Sequence, residues 1–410
     1  MDRTIADAID RRRDEIIAFT QQLVQTPSET PSGNEIAVAK VIRARMEALG
    51  VTDIEVRAKK ADRPNLLGRV RFSKPGKALI FNAHTDTKDV GDRTPWTVDP
   101  FSGVIKDGYL YGRGAADMKA ALAAMLYAAV ALKAAKPDLG GEILLMFVAD
   151  EEGGSVYGSE YLARETPLKA DAAIIGEPCG IDAPWDCLHI SHRGVFCFKI
   201  KVFGTQMHSS MSDIRPSVNA CVKLAEVLTA FAREFRPTYK PHPLYPQGPT
   251  VNLAVLMKGG VFYGVYPGYA EFCTDVRIIP GMTKEQIVAD LMGFVEKLRK
   301  RDPKLRVEVD PAPRPLDWVP AIELSPDEPV VKCALAAAEE VLGFRPKLAG
   351  LPGGTDARCI YIHTGIPVIP ALGPGMLEIC HGPNERVPVE DIVKAAQIYA
   401  LAAANFLRHG

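Results

Sequence analysis

The 410 residues carry a net charge of −1, with 47% apolar and 24% charged residues. That is the composition of a soluble globular protein with room for about two to three domains, and it gives no basis for a nucleic-acid or acidic-membrane partner. The eight cysteines are scattered without a C-x-x-C pair, which points to a reducing cytosol and inert thiols rather than a disulfide frame or a cysteine zinc site.

Near the amino terminus, Arg11-Arg12-Arg13 is followed by no long apolar core, so neither a signal peptide nor a transmembrane stretch is expected. Ile5, Ile9, Ile16, Ile17, Leu23 and Val24 recur at roughly helical spacing, the pattern of an amphipathic packed helix. Residues 77–83 read as a strand ending at His84. Met118 to Ala135 is alanine-rich and apolar, a buried helix by its length. Ile143 to Val148 is a continuous apolar run, as in a buried strand of a parallel sheet, and Ala172 to Ile175 is another. Strand and helix alternate here, which predicts a mostly parallel sheet covered by helices.

The pattern changes near residue 190. From Gly194 to Val202, Phe196, Phe198, Ile200 and Val202 alternate with polar positions that include Lys199 and Lys201, as in a strand with one wet face. An amphipathic helix over 217–235, a strand over 270–279, a helix over 284–300 and a short strand over 305–309 follow. Thr283 with Gln286 marks the start of the second helix. The proline-rich stretch Pro311 to Pro320 leads back to α/β patterning, which ends in a helix over 389–408. The fold class expected is α/β: a mixed, mostly parallel sheet flanked by helices, built from 1–190 and 313–410, with a smaller α+β unit inserted at 191–312.

Polar groups collect at the ends of the predicted strands. Asp150-Glu151-Glu152 follows the run Ile143 to Val148, at the carboxyl end, where open α/β sheets build their sites. Like charges packed there raise one another's pKa unless a cation holds them. His84-Thr85-Asp86 follows another strand, and alternation along an extended chain puts His84 and Asp86 on one side. Asp86 then suits the acceptor that a ligating imidazole needs. Asp117 stands near a helix start, where N-capping is its ordinary use. Glu177 in Gly176-Glu177-Pro178 and His381 in a loop are unremarkable singly, and a solvated loop histidine is the commoner case. Together they form a His, Asp and Glu set that suits zinc, and a shared carboxylate among them can bridge two ions.

These segments resemble the metallopeptidase superfamily that contains aminoacylases, acetylornithine deacetylase, succinyl-diaminopimelate desuccinylase and glutamate-releasing carboxypeptidases. The matching pieces are His84-Thr85-Asp86, the stretch from Gly112 to Lys119, Asp150-Glu151-Glu152, Gly176-Glu177-Pro178, Gly353-Gly354-Thr355-Asp356 and His381. Their order and spacing match along nearly the whole chain. The resemblance implies a zinc-exopeptidase-like domain with an inserted lid that often pairs two subunits, and two divalent ions, zinc with cobalt or manganese as alternatives. It implies that Asp117 bridges the ions, that His84 and Glu177 complete one, that Glu152 and His381 complete the other, that Asp86 orients His84, and that Glu151 is the general base. In the insert, His208 resembles the histidine that reaches a neighbouring subunit's site, and Arg277 resembles the arginine that grips a substrate carboxylate. Gly354 and Thr355 are the remaining substrate contacts the match implies.

One departure lies in the insert. Relatives usually carry Asn within Asn-x-x-Pro, and here Gly264-Val265-Tyr266-Pro267 puts glycine at that position. The implied reaction is hydrolysis of an amide bond next to a carboxylate, in a cytoplasmic homodimer acting on a small molecule. Two rivals stand beside it. One is an aryl-amine or carbamoyl amidohydrolase with the same centre, which the Gly264 departure keeps open. The other is a zinc-binding sensor or scaffold without catalysis, against which the presence of Glu151 argues.

Overall fold

A computed structural model describes residues 3–32, 34–136, 138–313 and 316–408. The chain divides into two compact units, residues 1–192 with 323–410, and residues 193–322.

In the first unit a six-stranded sheet runs in the order Thr52–Arg57, Asn65–Arg71, Gly140–Val148, Lys74–His84, Ala172–Ile175, Val368–Ile369. The last four strands are mutually parallel and the first two pair antiparallel. The continuous apolar runs are buried on both faces, as parallel strands between helices must be. Phe81 meets Tyr399 of the helix Val389–Arg408 at 5.6 Å between ring centroids. The next residue, Asn82, turns its amide to Ser159 of the helix Ser159–Glu165. Successive side chains of one strand therefore touch helices on opposite faces.

The helix Ala120–Ala135 is buried along nearly its whole length. With the turn before it, it is the one stretch among the described residues long and apolar enough to cross a membrane, and its most apolar 18 residues are 94% buried. The amino-terminal pattern, read as one helix, is two: Arg3–Asp10 and Arg13–Val24.

The second unit is a four-stranded antiparallel sheet in the order Thr250–Gly259, Tyr269–Ile278, Gly194–Phe203, Arg306–Pro311. The strand Gly194–Phe203 alternates strictly between buried and half-buried positions. Its buried side chains, Phe196, Phe198, Ile200 and Val202, pack with the helices Ala220–Glu234 and Lys284–Arg301. Asn219 caps the first helix, so it starts at Ala220 and not at 217. Thr283 caps the second by accepting from the Gln286 N–H at 3.3 Å. The sequence pattern places the insert at 191–312, whereas this unit runs from Arg193 to Ile322. Val195 and Val319 exchange main-chain hydrogen bonds at 2.8 and 2.7 Å, which ties the proline-rich stretch to it.

Candidate metal centre

Three parallel neighbours bring their carboxyl ends to one edge. His84 stands opposite Val148, and Asn82 stands opposite Ile175. The side chains that follow these strands, His84, the turn 150–152 and Glu177, therefore emerge together. The Gly114–Lys119 segment and the loop holding His381 supply the rest.

The sequence alone allowed Asp117 as a helix N-cap, and the structure corrects this. The regular helix begins at Ala120, while Asp117 has non-helical backbone angles and is buried. Its carboxylate faces two imidazoles instead. Oδ1 is 2.9 Å from His84 Nε2, and Oδ2 is 3.1 Å from His381 Nε2. Glu177 Oε1 lies 3.6 Å from His84 Nε2, and Glu152 Oε1 lies 2.9 Å from His381 Nε2. Two triplets, His84–Glu151–Glu177 and His84–Asp117–Glu152, each offer ligand atoms within 4.8 Å of one another.

Two imidazoles with several carboxylates form a donor set for borderline divalent ions. The charge balance agrees. Asp86, Asp117 and Glu177 are buried, and the Glu152 side chain is nearly so. Carboxylates removed from water at this density are costly without cations, so bound divalent ions fit the residues present.

Asp86 acts by a different route from the one alternation suggested. Its main-chain carbonyl, at 2.8 Å, meets Nδ1 of His84, whereas its carboxylate is 3.7 Å from that atom. A proton on Nδ1 facing the carbonyl leaves the Nε2 lone pair for a cation. The Asp86 carboxylate instead accepts from the N–H of Glu151 at 3.0 Å, the N–H of Glu152 at 3.1 Å and the Thr30 hydroxyl at 2.9 Å. It thus grips the acidic turn.

The electrostatics follow from crowding. Burial pushes the Asp86 carboxyl up to about 6 against the pull of His84, and Glu152 adds to the rise. Burial also drives Glu177 well above the usual carboxylate range, with Asp117 adding its charge. Glu151 is driven up by loss of solvation and by Asp356 and Glu152, against the pull of His84. For Asp117 burial works upward, but its hydrogen bonds to His381 and His84 win and hold it low. Burial would lower His381, yet hydrogen bonds to Asp117 and Glu152 raise it to about 10. Burial would also lower His84, but its hydrogen bond to Asp117 and the charges of Glu177 and Asp117 raise it; a cation bound at either imidazole would displace its proton.

Several residues around the centre escaped the sequence reading. Glu35 accepts from Arg63 at 2.6 Å, from the Thr85 hydroxyl at 2.6 Å and from the Asp150 N–H at 3.3 Å. Arg113 and Glu385 form a buried ion pair beside Asp117, and Lys88 pairs with Glu152. None carries a local pattern, although Arg113 lies inside Gly112-Arg113-Gly114 and Glu385 closes the loop of His381. Of Gly354 and Thr355, the glycine is exposed. The Thr355 side chain is buried and accepts from the Ala357 N–H at 3.2 Å, at the head of the helix Ala357–Thr364.

His208 and Arg277 belong to the second unit. His208 is exposed, and its Nδ1 is 2.8 Å from the Ser210 hydroxyl. Arg277 is half-buried and donates to Asp275 at 2.9 Å. Gly264 sits at φ +80, and its carbonyl accepts from the Ser209 N–H at 2.9 Å. That backbone conformation suits glycine and is tolerated by asparagine.

Residues 80–405 match the model of peptidase family M20/M25/M40. The chain belongs to this family. It is 30% identical over 393 residues to the succinyl-diaminopimelate desuccinylase of Methylorubrum populi, a match covering 93% of this chain and 96% of that protein. Its fold resembles that of the aminopeptidase PepT from Bacillus cereus, with a TM-score of 0.75, 24% identity and coverage of 96% and 98% of the two chains. It also resembles the YXEP protein of Bacillus subtilis, described as a dinuclear metal-binding peptidase of the M20 family, with a TM-score of 0.71, 18% identity and coverage of 97% and 99%. This M20 chain is an amide-bond hydrolase, and its clustered donors are possible ligands for metal.

Proposed function

We propose that this M20 enzyme is a two-cation hydrolase that removes the acyl group from an N-acyl amino acid, or cleaves a small peptide-like substrate, at an amide bond beside a carboxylate. The observation that carries the reading is the placement of Asp117, one oxygen toward His84 and the other toward His381. A carboxylate so placed suits a bridge between two ions. His84 and Glu177 would hold one ion, and His381 and Glu152 the other. We take zinc as the native metal, because imidazole and carboxylate ligands suit it; cobalt and manganese use the same donors.

Divalent ions held by these residues would polarise the scissile carbonyl and make a bound water more acidic. Glu151 would take the proton from the attacking water and deliver it to the leaving nitrogen, two steps open to one acid/base group. Asp86 holds Glu151 and Glu152 through their main-chain N–H groups, so base and ligand keep a fixed separation. Arg277 is assigned to the substrate carboxylate, where a planar fork favours arginine. His208 is assigned to the developing oxyanion. The desuccinylase relative supports an N-acyl group that itself carries a carboxylate.

We further assign a cytoplasmic homodimer formed through the second unit. All eight cysteines are free thiols, as in a reducing compartment. The strand Thr250–Gly259 is an edge of its sheet and exposes Leu256 at 69% and Met257 at 59%, and Tyr263 beyond it is 93% exposed. Such an edge is a template for a second strand. The central test is Asp117→Ala, read by metal analysis of the purified protein. The wild type should hold two divalent ions per chain and the variant none. A variant with full metal content and activity would remove Asp117 from the bridge.

A further inference from the structure

We propose that the buried Arg113–Glu385 ion pair is a positioning element that sets the spacing between Asp117 and His381, and through it the affinity of the cation position those two residues share. This rests on the two-cation reading above.

Both side chains are 1% exposed, and their closest atoms are 2.6 Å apart. Each spends its second arm on the backbone of a proposed ligand. Glu385 Oε1 accepts from the N–H of Ala116 at 3.0 Å and from the N–H of Asp117 itself at 3.1 Å. Arg113 Nη2 donates to the carbonyl of His381 itself at 2.9 Å. One guanidinium and one carboxylate therefore join two segments that are distant in sequence, at the very residues whose side chains meet at 3.1 Å. The Gly112 N–H, 2.9 Å from the Glu385 carbonyl, closes the latch on its other side.

Stability is a weak reason for such a pair. A fully desolvated ion pair is often no better than an apolar pair of the same volume, and its best-attested benefit is fixing one arrangement among several. His381 needs that fixing. It lies in a loop at φ +64, and its side chain is 47% exposed, so packing alone does not hold it. Arginine is required for the geometry. Its planar fork serves Glu385 and the His381 carbonyl at once, whereas the compact ammonium of lysine has no second arm at that separation.

The test is Arg113→Lys in the full-length protein, with metal binding followed calorimetrically and by the visible spectrum of bound cobalt. His381→Ala and Glu177→Ala identify which binding step belongs to which position. Arg113→Lys should keep a cooperative thermal transition. It should weaken the step that His381→Ala abolishes by about ten- to a hundredfold, the usual effect of removing an outer partner of a ligand. It should change the cobalt spectrum of that step, and leave the Glu177 step near its wild-type value. Glu385→Gln, which keeps an acceptor for Ala116 and Asp117 but loses the charge, should weaken the same step. Unchanged affinity and spectrum in a folded Arg113→Lys protein overturn the proposal, as does equal loss at both steps. If both variants fail to fold, the pair is a folding element and the proposal is wrong. A wild-type protein that binds no second ion would instead sink the two-cation reading itself.

Discussion

Lys88 places its ammonium 3.0 Å from Oε2 of Glu152. The other oxygen of Glu152 faces His381. Partial burial alone would lower the Lys88 pKa, but the charge of Glu152 and the hydrogen bond to it raise it, so the ammonium stays charged. A fixed positive charge on a ligand opposes a divalent cation bound to the same carboxylate. Lys88→Met should therefore tighten metal binding at the His381 position by about tenfold, roughly 1.4 kcal/mol, a modest figure because the side chain is partly exposed and screened. Calorimetric titration of both proteins measures it. Equal or weaker binding in the variant would show that Lys88 supports the ligand geometry and does not compete.

His189 lies within the buried strand Cys187–His192, with Nε2 3.1 Å from the Cys179 carbonyl. Burial lowers its pKa to about 4, only partly offset by that hydrogen bond. A depressed folded pKa means that the unfolded chain binds the proton first, near pH 6.5. Stability from this group is complete above pH 6.5 and is lost as pH falls toward 4, by about 3 kcal/mol in all. His189→Gln keeps a donor for the carbonyl and does not titrate. Its melting temperature should fall less than that of the wild type between pH 6.5 and 4. Parallel curves would mean that His189 is not the titrating group.

In the second unit, Phe231 stands among Phe235 at 4.4 Å, Phe294 at 5.2 Å, and Phe198 and Phe272 at 6.1 Å between ring centroids. Phe231→Ala opens a cavity at the centre of this cluster and should cost about 3–5 kcal/mol. The loss should concentrate in the unit of residues 193–322. Hydrogen exchange should accelerate in the helices Ala220–Glu234 and Lys284–Arg301 before it does in Ala120–Ala135. Uniform acceleration across the chain would show that the two units unfold as one.

How far the sequence carried depended on how local each signal was. The strand over 143–148 was legible because every position in it is apolar, and the buried helix, expected from Met118 and starting at Ala120, because nearly every one is, Lys133 being an exception. The strand Thr250–Gly259 was not: Ala254 sits at φ +54 where the register slips, and the bulge breaks the two-residue alternation that marks a strand. Motifs at strand ends, a turn and a loop, with the family resemblance they carry, brought His84, Asp117, Glu151, Glu152, Glu177 and His381 onto one candidate list. What they could not convey was the support beneath. Arg63 and Glu35, or Arg113 and Glu385, are ordinary charged residues until the fold closes and buries them. The Asp86 contact was missed for another reason. Side-chain alternation says nothing of a carbonyl, and the carbonyl is what meets His84.

Glu151 and Glu152 are adjacent, and their main-chain N–H groups donate to different oxygens of one carboxylate, Asp86 Oδ1 and Oδ2. On the proposed reading their side chains diverge in task. Glu152 is bound to His381 and Lys88, the posture of a ligand. Glu151, driven toward the protonated form by its surroundings, has the posture of a proton carrier. Glu151→Gln keeps the size and removes the titratable oxygen, so metal content should persist while kcat falls by about a hundred- to ten-thousandfold. KM should change little, because ground-state binding is untouched. Glu152→Gln leaves the proton carrier in place and takes a negative charge from the His381 position, so metal occupancy should drop first and kcat should recover in excess metal. Metal stoichiometry measured beside kcat, for both variants and at two metal concentrations, separates the roles. Loss of metal in Glu151→Gln with retention in Glu152→Gln would exchange them, and full turnover in both variants would sink the two-cation hydrolase reading.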